Sequence, residues 1–451
     1  MKDNRLKHSI WLRVVKFIDV FLMTCIFEVV FNKFYIQEML IEHSKGRMLA
    51  FFVIYFILFT VIGKVYEAFY ISMKRISEII YSQCLTSLVV NGIVFIIIWL
   101  MSQRFPNLIP MLFILIAQIV LAYLWGKVSH RWYFKKYTAR DSAIVYDCRR
   151  GMDKLIEEYG LRKKYNVKVT VEAKECLKDL TVISGAKTVF LSGVHSHDRN
   201  KILKYCIAND IEVFVIPRVG DVLMSGARHI HMFHLPMLQV KRYDASPEYL
   251  FMKRLMDIIV SLVALIVLSP VMLIVAIAIK AYDHGPVIYS HIRLTKDGKE
   301  FPIYKFRSMR TDAEKDGVAR LSTGENDSRI TPVGAVIRKL RLDELPQLVN
   351  ILKGDLSLVG PRPERPEIAK QYEVELPEFA LRLEAKAGLT GYAQVYGKYN
   401  TTPYDKLQMD LMYIAHPSII EDIKIIMATV KIIFMPESTE GVEEGKTTAA
   451  N

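Results

Sequence analysis

The densest gathering of chemically capable side chains lies between residues 338 and 364. In Arg338-Lys339-Leu340-Arg341-Leu342-Asp343-Glu344-Leu345-Pro346, two adjacent carboxylates follow three cations, and Lys353 and Arg362 stand beyond them. Asp343 precedes a helical run with Pro346 in its first turn, so its plain structural role would be an N-cap. A helix N-terminus also favours phosphate through free N–H groups and its dipole. Paired carboxylates suit a hard divalent cation, and flanking cations suit phosphate oxygens, so the same residues would serve phosphoryl transfer. In Gly360-Pro361-Arg362-Pro363 two prolines stiffen the backbone around one guanidinium, the side chain that reads phosphate in bidentate fashion. Tyr304-Lys305-Phe306-Arg307 ends a strand from Ile303, and alternation puts Lys305 and Arg307 on one face as further phosphate-binding residues.

These residues need elements to hold them. At 451 residues the chain is too long for one core. Hydrophobic residues make up 52% and charged residues 24%, which excludes a disordered or fibrous protein. Four apolar blocks, at about 11–31, 48–70, 79–101 and 108–128, are each near the ~20 residues that cross a bilayer, and predict a four-helix membrane bundle over 1–140. Lys and Arg gather before the first block, between the second and third, and after the fourth, which puts the N-terminus and everything after the bundle on the cytoplasmic side. The five cysteines form no CxxC pair and read as reduced thiols. From 141 to 240 short β-branched runs (Ala143–Tyr146, Lys168–Val171, Thr188–Leu191, Ile211–Ile216) alternate with charged helical stretches, predicting a small parallel α/β domain of degenerate Rossmann-like type. Its first turn, Asp147-Cys148-Arg149-Arg150-Gly151, lacks the GxGxxG that would admit a pyrophosphate, so it reads as a scaffold or the interface of a homodimer.

A fifth apolar block, Ile258–Ile279, has basic flanks on both sides and Ser269-Pro270 in its middle. Proline interrupts a helix and a serine hydroxyl can satisfy the freed carbonyl, so this block reads as a broken, re-entrant helix returning to the cytoplasmic face. A mixed α+β region of 250–436 follows, with helices near 333–340, 344–352 and 364–373 and an amphipathic run from Ile419 to Phe434. The tail 437–451 reads as disordered.

In these motifs the chain resembles the polyprenyl-phosphate glycosyl-1-phosphate transferases of the bacterial sugar transferase family, in their large form. The resemblance rests on Lys253-Arg254-Leu255-Met256-Asp257, Ser269-Pro270, Tyr304–Met309, Leu342–Leu348, Lys353-Gly354-Asp355, Gly360–Pro363 and Gly388–Val395, in that order. It implies that Asp343 is a nucleophile that takes a sugar phosphate from a nucleoside-diphosphate sugar, usually a UDP-sugar, and passes it to undecaprenyl phosphate. It also implies Glu344 as dyad partner or metal ligand, Mg2+ held by Asp343 and Glu344, and phosphates held by Lys305, Arg307, Arg338 and Arg362. Asp355 and Gln394 are donor-site candidates. The setting would be the bacterial cytoplasmic (inner) membrane, at the first membrane step of exopolysaccharide, capsule or O-antigen synthesis. Arg341 departs from the Ser or Thr of many relatives.

Other signals point elsewhere. His229, His231 and His234 offer metal-binding types without a fourth ligand at suitable spacing. Tyr159 and Lys163 have the spacing of a dehydrogenase pair, which keeps a membrane-anchored nucleotide-sugar dehydratase as a rival, and a non-catalytic scaffold of polysaccharide assembly is a second. The formal charge of +13 would suit a nucleic-acid binder, but it is spread over membrane flanks and the phosphate cluster without a nucleic-acid motif.

Overall fold

The computed structural model describes residues 2–36, 45–102, 104–242, 245–311, 313, 329–397 and 401–433; the predicted tail 437–451 lies outside them. The chain divides into two compact units, Met1–Ile216 and Pro217–Asn451.

The first unit opens with four long helices, α1 (Lys2–Phe34), α2 (Lys45–Val65), α3 (Ile76–Met101) and α4 (Ile109–Lys136). Among the described residues, four helices are long and apolar enough to cross a membrane: α2, α3, α4 and, in the second unit, α9. The first predicted span is not one of them, because Lys16, Asp19 and Glu28 interrupt its apolar run. It joins the bundle all the same: Met23, Phe27 and Phe31 are fully buried, and Phe27 stacks on Tyr55 at 4.3 Å. Asp19 is buried too and accepts a hydrogen bond from Gln83 of α3 at 2.7 Å.

The same unit continues as alternating strands and helices: β1 (Arg140–Tyr146), α5 (Met152–Glu158), β2 (Tyr165–Glu172), α6 (Ala173–Lys178), β3 (Thr188–Ser192), α7 (Ser196–Ala208) and β4 (Glu212–Val215). They form a parallel sheet of order β2-β1-β3-β4. The predicted strands are all present. The first compact unit ends after β4, at Ile216, and helix α8 (Val219–Ser225) buries Val222 in the core of the second unit.

In the second unit, α8 is followed by an exposed hairpin of β5 (Arg228–Met232) and β6 (Leu235–Gln239), then by α9 (Pro247–Asp283). Helix α9 does not part into two helices at Ser269-Pro270 as expected; it continues through Pro270. Ser269 Oγ donates to the Ile266 carbonyl at 2.8 Å, the group that proline leaves without its N–H donor. The globular part contains β7 (Ile288–Leu294) and β8 (Glu300–Phe306) as an antiparallel pair, α10 (Pro332–Lys339), α11 (Gln347–Lys353), β9 (Ser357–Val359), α12 (Pro366–Glu375), β10 (Gly388–Thr390), α13 (Tyr392–Tyr396), α14 (Pro403–Ala415) and α15 (Ile419–Ile433). Leu348, Ile351, Leu356, Val359, Leu407, Leu411 and Ile425 form its centre. The final helix therefore packs in this core through Ile425.

Candidate active site

Asp343 and Glu344 sit in a 3-10 turn, Leu342–Glu344, between α10 and α11. Thr331 caps α10 by accepting the Gly334 N–H at 2.9 Å, and Pro332 starts it. A Cβ on Gly334 would stand 1.9 Å from the Ser308 carbonyl oxygen, so only glycine lets α10 press onto the segment that continues β8. Arg341 then takes a left-handed conformation, φ 54°, which turns the chain between the helices. Leu342 and Leu345 pin the turn to Phe306, Ile337 and the Val275 and Ile279 side chains of α9. The N-cap of α11 is Pro346, without a side-chain cap. Asp343 is therefore not the cap, and its carboxylate is left for other use.

Lys305, near the end of β8, places Nζ 2.9 Å from Glu344 Oε1. Arg362 reaches the same oxygen at 3.6 Å from the opposite loop. That loop is held by its backbone. Gly360 N–H donates to Thr390 O and Gly388 N–H to Pro361 O, each at 2.9 Å. Arg382, buried and paired with Asp410 at 2.6 Å, donates to Arg362 O at 2.9 Å, and Arg293 donates to Pro363 O at 2.9 Å. The backbone is thus fixed on several sides while the Arg362 guanidinium stays 43% exposed.

The two carboxyls titrate apart. Burial pushes Asp343 up, the Glu344 charge adds to this, and Lys305 and Arg338 only partly offset it. Burial acts on Glu344 in the same sense, but Lys305 and Arg362 outweigh it and hold this carboxyl well below the usual glutamate range. Behind them His291 of β7 is held neutral, its imidazole lowered to about 3 by burial and by Arg293, Arg365 and Lys305.

Of the residues read from the sequence, Asp343, Glu344, Lys305 and Arg362 come together, and Arg338 acts on Asp343 electrostatically. Arg307 does not join them. It is 7% exposed and its guanidinium is committed to both Asp283 oxygens and to Pro286 O at 2.7 Å, because β8 ends at Phe306 and the chain turns toward the end of α9. Asp355 lies in the turn after α11, its carbonyl accepting from Thr295 at 3.0 Å. Gln394 donates to Leu389 O at 3.2 Å and keeps a buried carbonyl oxygen without a partner among the described residues. No hydrogen bond or ion pair joins either residue to the carboxylates among the described residues. The described residues likewise hold no cluster of three or more metal-ligating side chains.

Sequence reasoning missed Arg293, His291 and Arg382. The first two were within reach: in Ile-Tyr-Ser-His-Ile-Arg-Leu the two-residue period puts Tyr289, His291 and Arg293 on the face that carries Lys305, since Tyr289 pairs with Lys305. Arg382 offered no local signal, for its partners Asp410 and Glu364 are remote in sequence.

Fold and site define a membrane protein carrying a half-buried carboxylate pair ringed by cations. The model of the bacterial sugar transferase family matches residues 248–436. A UDP-N-acetylgalactosamine-undecaprenyl-phosphate N-acetylgalactosaminephosphotransferase of Aeromonas hydrophila is 38% identical, over 52% of this chain and 55% of its own. A UDP-glucose:undecaprenyl-phosphate glucose-1-phosphate transferase of Klebsiella pneumoniae is 42% identical over 48% of each chain. The exopolysaccharide production protein PSS of Rhizobium leguminosarum bv. phaseoli is 42% identical over 40% of this chain and 94% of its own. The chain belongs to the bacterial sugar transferase family. It spans about half the length of the first two relatives.

Proposed function

We propose that this protein transfers a sugar 1-phosphate from a UDP-sugar to undecaprenyl phosphate at the cytoplasmic face of the bacterial inner membrane, an early step in building a surface polysaccharide. The observation that carries this reading is the half-buried Asp343 carboxylate, which forms no ion pair among the described residues, beside a Glu344 already bound to Lys305 and Arg362. An Asp343 oxygen attacks the phosphorus that bears the sugar, the bond to the nucleotide phosphate breaks, and UMP leaves with the electron pair. An oxygen of undecaprenyl phosphate then attacks the aspartyl phosphorus and releases the carboxylate. Lys305, Arg338 and Arg362 bind and neutralise phosphate oxygens while charge builds on them. Mg2+ fits a donor set of one or two carboxylates completed by substrate phosphates, so Glu344 with Asp343 would hold it, and it would supply further charge neutralisation.

The lipid acceptor calls for a site at the headgroup plane, and α9 supports a re-entrant course. Arg254, near its start, donates to the Ile351 and Leu352 carbonyls, and Asp257 accepts from Ser357 and Leu358. Near its end, Val275 and Ile279 pack on Phe306 and Ile337. Leu265 packs with the core that holds Leu348, and Met272 with the cluster that holds Leu345, only one turn away. A straight helix would set residues 254 and 279 about 37 Å apart. Between the two anchored parts Ile266, Val267, Leu273 and Ile274 are exposed, as a loop dipping into lipid requires. Pairing of two copies through the parallel sheet domain remains part of this reading.

The test uses the purified chain in detergent with Mg2+, undecaprenyl phosphate and a panel of UDP-sugars, with UMP and UDP quantified separately. UMP release that needs Asp343 supports the reading. UDP release would replace it with simple glycosyl transfer, and neither product from any sugar would favour the scaffold.

A further inference from the structure

Far from the carboxylate pair in sequence, the first unit contains a cavity of about 570 Å3, within the size range of small-ligand sites. One face of α4 lines it, with Lys127, His130, Arg131 and Phe134 at the three- and four-residue steps that align side chains on a helix, and Tyr137 follows at the helix's C-cap. Lys163, from the short turn Leu161–Lys163 of the α/β domain, lies across from them. No carboxylate lines the cavity among the described residues, and no ion-pair partner of Arg131 or Lys163 is found among them. The lining has a graded character. His130, Phe134 and Tyr137 are half-buried and form a largely apolar wall, while Lys127, Arg131 and Lys163 are exposed at the rim.

The position along α4 is equally informative. Leu112, Ile116, Val120, Leu124 and Val128 are exposed apolar side chains, as on a helix surrounded by hydrocarbon, and they end at Val128. Arg131, Lys135 and Lys136 are exposed beyond that point. The cavity therefore lies where the helix leaves hydrocarbon for the headgroup layer. The neighbouring Lys164 ammonium is lowered to about 8, first by burial and then by Arg140, with Glu212 opposing.

We propose that this cavity binds the phosphate-bearing headgroup of an anionic membrane lipid. Arg131, Lys163 and Lys127 neutralise the phosphate, and Phe134 and Tyr137 take the glycerol and the first methylenes of the chains. A cationic rim alone would suit any phosphate; the apolar wall at the hydrocarbon boundary selects one attached to a lipid. All the residues that line it belong to the first unit, whereas Asp343 and Glu344 belong to the second.

The test is thermal unfolding of the full chain in neutral maltoside detergent, with phosphatidylglycerol, phosphatidylcholine or sodium phosphate added. Phosphatidylglycerol is expected to raise the midpoint in a saturable manner, with phosphatidylcholine and phosphate giving less than about a third of that shift. Arg131→Gln with Lys163→Gln should weaken the apparent affinity by more than about tenfold, near fivefold for each cation removed, while Lys135→Gln with Lys136→Gln keeps it. If circular dichroism shows that the first pair of changes disturbs folding, Lys163→Gln on its surface turn decides the matter, with at least about a twofold loss expected. Equal shifts from both lipids, an equal shift from phosphate alone, or unchanged affinity in the cavity variants would each overturn the proposal.

Discussion

Asp343 and Glu344 are chain neighbours that differ in charge behaviour because only one of them meets the cations directly. Lys305 and Arg362 both address Glu344 Oε1, which keeps this carboxylate ionised, while burial raises Asp343. An isosteric change, Asp343→Asn, keeps the shape of the turn and removes the carboxylate oxygen that attacks in the proposed reaction. We expect UMP release to fall by at least about a thousandfold, with the unfolding midpoint unchanged; residual activity near that of the unaltered protein would exclude the covalent route. The raised Asp343 pKa also sets a pH limit. In the proposed reaction its ionised form attacks, so the acid limb of the rate profile should lie above the ordinary aspartate range and activity should grow as pH rises through it. Lys305 lowers this pKa, so Lys305→Gln should move the limb further upward; a limb that stays in place in this variant would show that another group controls it.

At the scale of elements, the entry of α9 is fastened by a buried polar cluster. Lys253 Nζ lies 3.0 Å from Asp422 Oδ2 of α15, and the Tyr249 and Tyr413 hydroxyls bond the same carboxylate at 3.0 and 2.7 Å. Asp422→Ala would leave an ammonium buried without its counter-charge, at a cost of about 3–5 kcal/mol. Joining it with Lys253→Met should restore most of that loss in denaturant titrations; additive losses would mean that the pair acts through something other than its charges. The loop of Arg362 depends on close backbone packing instead. A Cβ on Gly360 would stand 2.2 Å from Lys386 O, so Gly360→Ala should displace Arg362 and lower kcat about tenfold or more while the membrane helices stay intact, as measured by UMP release and helicity. Elements of this kind were unevenly legible in the sequence. The four parallel strands showed as β-branched runs and the helices beside the carboxylates through proline and apolar spacing. The β5–β6 hairpin did not, because its histidines break the alternation and its pairing is set by the turn at Phe233 and His234, both at positive φ. Arg307 was misplaced for a related reason: alternation gives a face within a strand, but β8 stops at Phe306, one residue before it. Ser269-Pro270 showed where the helix ladder loses a donor, while Ser269 itself supplies the bond that lets α9 continue.

At the scale of the whole molecule, the division at Ile216 and Pro217 puts the bundle and parallel sheet in one unit and Asp343, Glu344, Lys305 and Arg362 in the other. The Rhizobium relative is covered over 94% of its length by only 40% of this chain, so it has no room for a counterpart of the first unit. The second unit has its own centre in Leu348, Ile351, Leu407 and Ile425, and α9 supplies its own membrane attachment. A fragment beginning at Pro217 should therefore fold and release UMP in lipid vesicles within about threefold of the full chain, because no side chain placed at the site comes from the first unit. The starting residue matters. Val222 of α8 is 3% exposed in this core and Ser225 Oγ lies 3.2 Å from His416 Nε2, so a fragment beginning at Ser246 removes the cover from α14. Burial of one valine is worth about 1.5–3 kcal/mol, and the shorter fragment should unfold at correspondingly lower denaturant. Equal stability of the two fragments would show that α8 belongs functionally to the first unit. An inactive Pro217 fragment with intact helicity would mean that the bundle or the parallel sheet domain takes part in the transfer itself.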